Sequence, residues 1–93
     1  MSAGLNTVYF FLQKGELIMK SFNIQLNSIN DVKVFVNTVN KYSFDIDLTS
    51  GRYVVDAKSI MGIFSLDLAK PIKIEIFDDN CDSLVKELKP FTV

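Results

Sequence analysis

Ser59 stands where a hydroxyl group, a helix start and an apolar face meet, in Lys58-Ser59-Ile60-Met61-Gly62-Ile63-Phe64-Ser65-Leu66. A serine at a helix start can accept a hydrogen bond from a first-turn N–H that has no partner inside the helix. The same position suits a phosphate, because unpaired N–H groups and the helix dipole favour negative charge there. Beyond Ser59, Ile63 and Leu66 point one way, while Ile60, Met61 and Phe64 share another face. One short helix cannot bury two apolar faces against one sheet. Either all five side chains are core, or Ile60, Met61 and Phe64 stay outside as a partner-docking face.

The other chemically capable groups lead to no reaction centre. Asp45 and Asp47 lie two apart on one strand face, as paired carboxylates would, but no base or nucleophile accompanies them. A solvated sheet face accounts for them better. Asp78, Asp79 and Asp82 lack the regular spacing and the distal glutamate of a calcium loop, and read as turn and cap residues at a helix start. The chain has no histidine, which removes the commonest general base and the commonest metal ligand. No enzyme, metal site or cofactor is expected. Cys81 is the single cysteine, so an intramolecular disulfide is impossible and a reducing, cytoplasmic setting fits. Its place on an amphipathic stripe makes it a small core residue.

A formal net charge of −1 gives no electrostatic footprint for nucleic acid or an anionic membrane. No apolar run approaches the roughly 20 residues of a membrane-spanning helix. At 48% hydrophobic and 23% charged, the chain is globular in composition, and its length allows one domain with one modest core.

The elements that must position these groups follow from periodicity. Phe22, Ile24 and Leu26 alternate with polar residues, and Phe44, Ile46 and Leu48 do the same, each reading as a half-buried strand. Ser50-Gly51 is a turn signal before Tyr53-Val54-Val55, so the second and third strands form a hairpin. Ile72-Lys73-Ile74-Glu75-Ile76 is the cleanest alternation. Cys81, Leu84, Val85 and Leu88 share a helical stripe that Pro90 ends. Ser59 to Leu68 reads as a short helix, and Pro71 forbids its continuation. Ser28 reads as a helix cap with Asp31 beside it. The segment after Ser28 is open to two readings. Val32-Lys33-Val34-Phe35-Val36 alternates like a strand, yet Ile29, Val32, Phe35, Val36 and Val39 fall at helical spacing.

Residues 1–18 read as an N-terminal extension that need not be native. Lys14-Gly15-Glu16 can be encoded by purine-rich triplets resembling a bacterial ribosome-binding site just upstream of Met19. The expected domain is therefore 19–93, the alternative being a genuine extra strand or arm. Val8-Tyr9-Phe10-Phe11-Leu12, with no basic residue before it, does not read as a convincing signal peptide.

Lys58-Ser59-Ile60-Met61-Gly62 resembles the regulatory-serine segment of HPr, the phosphocarrier of the bacterial sugar phosphotransferase system. The similarity continues through Lys41-Tyr42-Ser43-Phe44-Asp45-Ile46-Asp47-Leu48 and Leu66-Asp67-Leu68-Ala69-Lys70. As a pattern it covers about Phe22 to Leu88. It implies that the ambiguous segment is a helix, giving the order βαββαβα and an α+β fold. The HPr-like form is an open-faced sandwich, with three helices covering one face of a four-stranded antiparallel sheet ordered 1-4-2-3. The opposite face, carrying Asp45, Asp47, Lys73 and Glu75, would be largely solvated.

The family's phosphoryl-carrying motif is Gly-Ile-His-Ala-Arg-Pro at the start of the first helix. Here the histidine position falls on Ser28, followed by Ile29, Asn30 and Asp31, and the arginine and proline are missing too. Asp67 occupies a position where the family usually has a left-handed glycine. The resemblance implies phosphorylation at Ser59 and docking of protein partners on Ile60, Met61 and Phe64. The reading is an adaptor or regulatory protein of carbon catabolite control that lacks histidine phosphocarrier activity. Its partners would be an HPr kinase/phosphorylase or a sugar-responsive transcription regulator. The alternatives are a divergent phosphotransferase-system component in another role, or an unrelated small protein-binding domain on the same fold.

Overall fold

Period-two alternation produces four strands in the computed structural model, which describes residues 20–93. They are β1 (Lys20–Ile24), β2 (Ile46–Ser50), β3 (Tyr53–Asp56) and β4 (Ile72–Ile76). The expectation for residues 1–18 lies outside the described residues. The sheet order is β1-β4-β2-β3, antiparallel throughout, as the resemblance implies. Register places Ile24 opposite Ile72, Leu48 opposite Ile74 and Ile46 opposite Ile76. These six side chains are all buried and form the sheet's half of the core. A slip of one residue on either central strand would turn its apolar set to the opposite face. Gly51, at φ 62°, opens the two-residue turn between β2 and β3, the conformation such hairpins require and glycine supplies without strain.

The ambiguous segment is helix α1 (Ile29–Val39). Its start is fixed by reciprocal bonds. Ser28 Oγ accepts from the Asp31 N–H at 3.0 Å, and the Asp31 carboxylate accepts from the Asn27 N–H at 2.9 Å. Val32, Phe35 and Val39 are fully buried, so packing on the sheet outweighs the modest helix reluctance of β-branched residues. Ile29 corrects the expected stripe. It is 64% exposed, because the first turn of α1 carries it beyond the sheet.

Helix α2 (Ile60–Phe64) is shorter than the expected Ser59 to Leu68. Ser65 ends it, its hydroxyl donating to the Gly62 carbonyl, although Leu66 beyond the end is still buried. Asp67 is not left-handed, since among the described residues Gly51 alone has positive φ. Its carboxylate instead accepts from the Ala69 N–H at 3.1 Å, forming a local turn that needs no glycine.

Helix α3 (Asp82–Glu87) buries Leu84, with Cys81 and Leu88 buried on either side of it and Val85 half-buried. The aspartates before it make a turn and not a cap. Asp78 accepts from the Asn80 N–H at 2.8 Å, while Cys81 at the cap position makes no side-chain bond. Burial pushes the Cys81 thiol above its ordinary range, which suits a core residue better than a reactive one. After α3 a single 3-10 turn, Lys89–Phe91, leads to a tail that periodicity does not announce. Gln25 N–H donates to the Phe91 carbonyl at 2.8 Å, and Val93 N–H donates to the Asn23 carbonyl at 3.2 Å. Phe91 also meets Phe35 edge-to-face at 6.2 Å.

The outer face of the sheet departs from expectation. Asp45 and Lys73 are exposed, but Asp47 and Glu75 are 7% and 9% exposed. Both stand on the two interior strands, where each faces the other in register and has neighbours on both sides. Glu75 accepts from the Thr49 hydroxyl at 3.0 Å.

Candidate docking and modification surface

Ser59 is exposed, with extended backbone, and its Oγ accepts from the Gly62 N–H at 3.1 Å. Its position is held from three sides. Its own N–H donates to the Asp56 carbonyl at 3.0 Å, and the Asp56 carboxylate accepts from the Lys58 N–H at 2.8 Å. Asn40, at the end of α1, donates from its side chain to the Val36 and Lys58 carbonyls. Gly62 leaves room for this arrangement, since a Cβ there would lie 3.2 Å from Val55 Cβ and 3.3 Å from Ser59 Oγ. The Lys58 ammonium donates to the Tyr42 carbonyl at 2.6 Å, a neutral partner that leaves its positive charge uncompensated.

The docking face expected of α2 is divided. Met61 is 76% and Phe64 41% exposed, and they share a face at i, i+3. Ile60 is half-buried and packs against the core, a correction to its expected place outside. It stands one turn before fully buried Ile63, so the two lean the same way. What sequence reasoning missed is that the exposed apolar surface extends to α1. Ile29, Phe64 and Leu68 line one shallow groove together with Ser28. The signal was available in the spacing, since a residue directly after a cap lies in the first turn, where a helix often overhangs its support. Gln25 secures the far wall by donating to the Leu68 carbonyl at 3.3 Å.

The structure thus brings Ser28 and Phe64 to one groove and leaves Ser59 outside it, at the head of α2. Ser28 is exposed and acts as a cap. Neither serine has an imidazole or guanidinium as neighbour. The one arginine, Arg52, is on the β2–β3 turn. The described residues hold no group of three or more acidic, cysteine or histidine side chains placed to bind a metal ion.

A polar link braces this surface from behind. Glu87 on α3 accepts from the Lys41 ammonium and from the Tyr42 hydroxyl, the latter at 2.6 Å. The Lys41 bond, then the Tyr42 bond, hold the Glu87 carboxyl below its ordinary range, and the Glu87 bond raises the Tyr42 hydroxyl. For the carboxylate, a depressed folded-state pKa means stability present at neutral pH and lost as pH falls below the ordinary glutamate range, roughly pH 4. For the phenol, a raised value means stability present at neutral pH and lost above roughly pH 10. Glu87→Gln is therefore expected to flatten both limbs of a stability–pH curve followed by urea unfolding. Unchanged limbs would show that the link contributes nothing.

A family model described as PTS HPr component phosphorylation site matches residues 30–91, most of the chain. The fold is similar to the crystal structure of HPr-C-His from Thermoanaerobacter tengcongensis. That chain is 30% identical, with a TM-score of 0.65 over 75% of this chain and 86% of the other. It is also similar to the crystal structure of phosphocarrier protein HPr from Bacillus anthracis str. Ames. There the TM-score is 0.62 over 78% of this chain and 95% of the other, and at 24% identity the likeness speaks for the fold alone.

Proposed function

The chain belongs to the HPr family of the phosphotransferase system, and on that premise we propose that it is a regulatory or adaptor member without histidine phosphocarrier activity, switched by phosphorylation of Ser59. The family consists of carriers that work through contact with other proteins, not of enzymes. An unrelated domain on the same fold is set aside by the family match. The observation that carries the proposal is the placing of an exposed Ser59 hydroxyl at the head of the helix that presents Met61 and Phe64 to solvent. In a chain with no histidine, a hydroxyl at that helix start is a group through which the charge beside Met61 and Phe64 could be changed.

A phosphate on Ser59 adds about two negative charges. It would sit close to Asp56, and the Lys58 ammonium, which keeps its charge on the neutral Tyr42 carbonyl, would offset part of its field. An acidic partner would be repelled and a basic one recruited by the same surface. The fold itself should tolerate the change, since the first-turn N–H groups of α2 favour the charge. A kinase/phosphorylase of the HPr type and a sugar-responsive transcription regulator are the partners this reading assigns, in the cytoplasm. Among the described residues, no helix is long and apolar enough to cross a membrane.

The test is incubation with a bifunctional HPr kinase and ATP. We expect one acid-stable phosphoryl group per chain in the wild type and none in Ser59→Ala. No incorporation into the wild type, or equal incorporation into both, removes Ser59 as the switch.

A further inference from the structure

β3 lies at the end of the sheet, paired with β2 on one side and with no strand among the described residues on the other. Tyr53 and Val54 on it are 68% and 58% exposed. The two-residue turn makes Ser50 and Tyr53 a bonded pair, so Tyr53 and Val55 address β2, and Ala57 continues the series by donating to the Ile46 carbonyl at 2.9 Å. Val54 lies between them and directs its N–H and C=O away from β2. Edges of this kind are commonly guarded by proline, lysine or a bulge. Arg52, at the end of the β2–β3 turn, and Asp56, at the end of β3, are the segment's two charges, opposite in sign and equidistant from Val54, and the segment has no proline, lysine or bulge.

That spacing makes the edge complementary to itself. When two copies run antiparallel with Val54 on the two-fold axis, Val54 faces Val54 and can exchange both outward backbone bonds. Tyr53 faces Val55, an aromatic and β-branched pair at the closer, non-bonded position, and Arg52 faces Asp56. Symmetry makes the last two pairings occur twice. A shift of one residue would put outward backbone groups opposite inward ones and lose the bonds. A shift of two would keep bonds but place Arg52 opposite Val54 and leave its charge unmatched.

We propose that β3 is a self-association edge, through which two copies of this chain pair antiparallel at Arg52–Asp56 about a two-fold at Val54 and join their sheets into one. The segment is short, so the dimer is weak and forms only at high protein concentration.

The test is analytical ultracentrifugation of the full chain across a concentration series. Val54→Pro removes the outward N–H without removing a bond to β2 and should leave a folded monomer. Arg52→Asp and Asp56→Lys should each weaken the dimer by about tenfold, because like charges then face each other twice. Mixing these two variants should restore association as a heterodimer, since every facing pair is again opposite in sign. Far-UV circular dichroism confirms that each variant is folded, which matters for Asp56 because its carboxylate also holds the Lys58 N–H at 2.8 Å. A wild type that stays monomeric to about 1 mM, a range that would hold any interface of note, overturns the proposal. So does a dimer that Val54→Pro and Arg52→Asp leave unchanged, or a mixture that associates no better than either variant alone.

Discussion

Supplied with phosphoenolpyruvate and the first enzyme of the phosphotransferase system, this chain should take up no acid-labile phosphoryl group, where a histidine carrier would take one per chain. The reason lies at the start of α1. A reversible carrier needs an imidazole that accepts a phosphoryl group near neutral pH and releases it readily. It also needs positive charge to balance the transferred oxygens. The chain has no histidine, and its single arginine is on the β2–β3 turn. Ser28 Oγ is engaged as a cap by the Asp31 N–H at 3.0 Å, and a serine ester would be too stable to pass its phosphate on. The family match begins at residue 30, two residues beyond the histidine position at Ser28. Stoichiometric acid-labile label on the purified chain would overturn this expectation.

Ile63→Ala should be the most damaging change within α2, costing about 2–4 kcal/mol as a core truncation. In a domain of this size that is a fall in Tm of roughly 10–25 °C. Ile63 is fully buried between the sheet and its own helix, so its loss leaves a cavity that the sheet has little freedom to fill. Met61→Ala, at a position 76% exposed, should stay within about 0.5 kcal/mol. Phe64→Ala should fall between them, since that ring is only partly outside. Thermal and urea unfolding of the three variants separates these cases. Equal, large losses at Ile63 and Met61 would mean that α2 is packed on every side and presents no docking face.

The strands were legible because their alternation is clean. The core face that Ile24, Leu48 and Ile72 to Ile76 form could be written down from period two alone, and the 1-4-2-3 order came with the family resemblance. Helix α1 was not legible from composition, because Val32 to Val36 satisfies both periods and only burial against a sheet decides between them. The docking face was half legible. Met61 and Phe64 emerge at helical spacing, but Ile60 also stands three residues from Ile63 and follows it inward. Ile29 shares the helical spacing of Val32, Phe35 and Val39 yet is exposed, because periodicity reports which face a residue shares and not where a helix outruns its support. The burial of Asp47 and Glu75 was hidden for a related reason: strand pattern gives the face, while depth depends on which strands end up interior. The tail after Pro90 has no period at all, and its bonds to β1 are long-range and purely backbone.

That tail bears on how far any edge association can run. Phe91 to Val93 occupy the backbone groups of Asn23 and Gln25, and the Ile24–Thr92 bridge closes the space between them, so this stretch of the β1 edge is already spent. In the language of polymer chemistry, the folded chain is monofunctional over these segments. A unit with one reactive end can couple once and then stop, whereas a unit with two would grow head to tail into a fibre. Were the bonds of Phe91 and Val93 to Gln25 and Asn23 lost, the unit would be of the second kind, with turbidity in place of a discrete pair as the visible result.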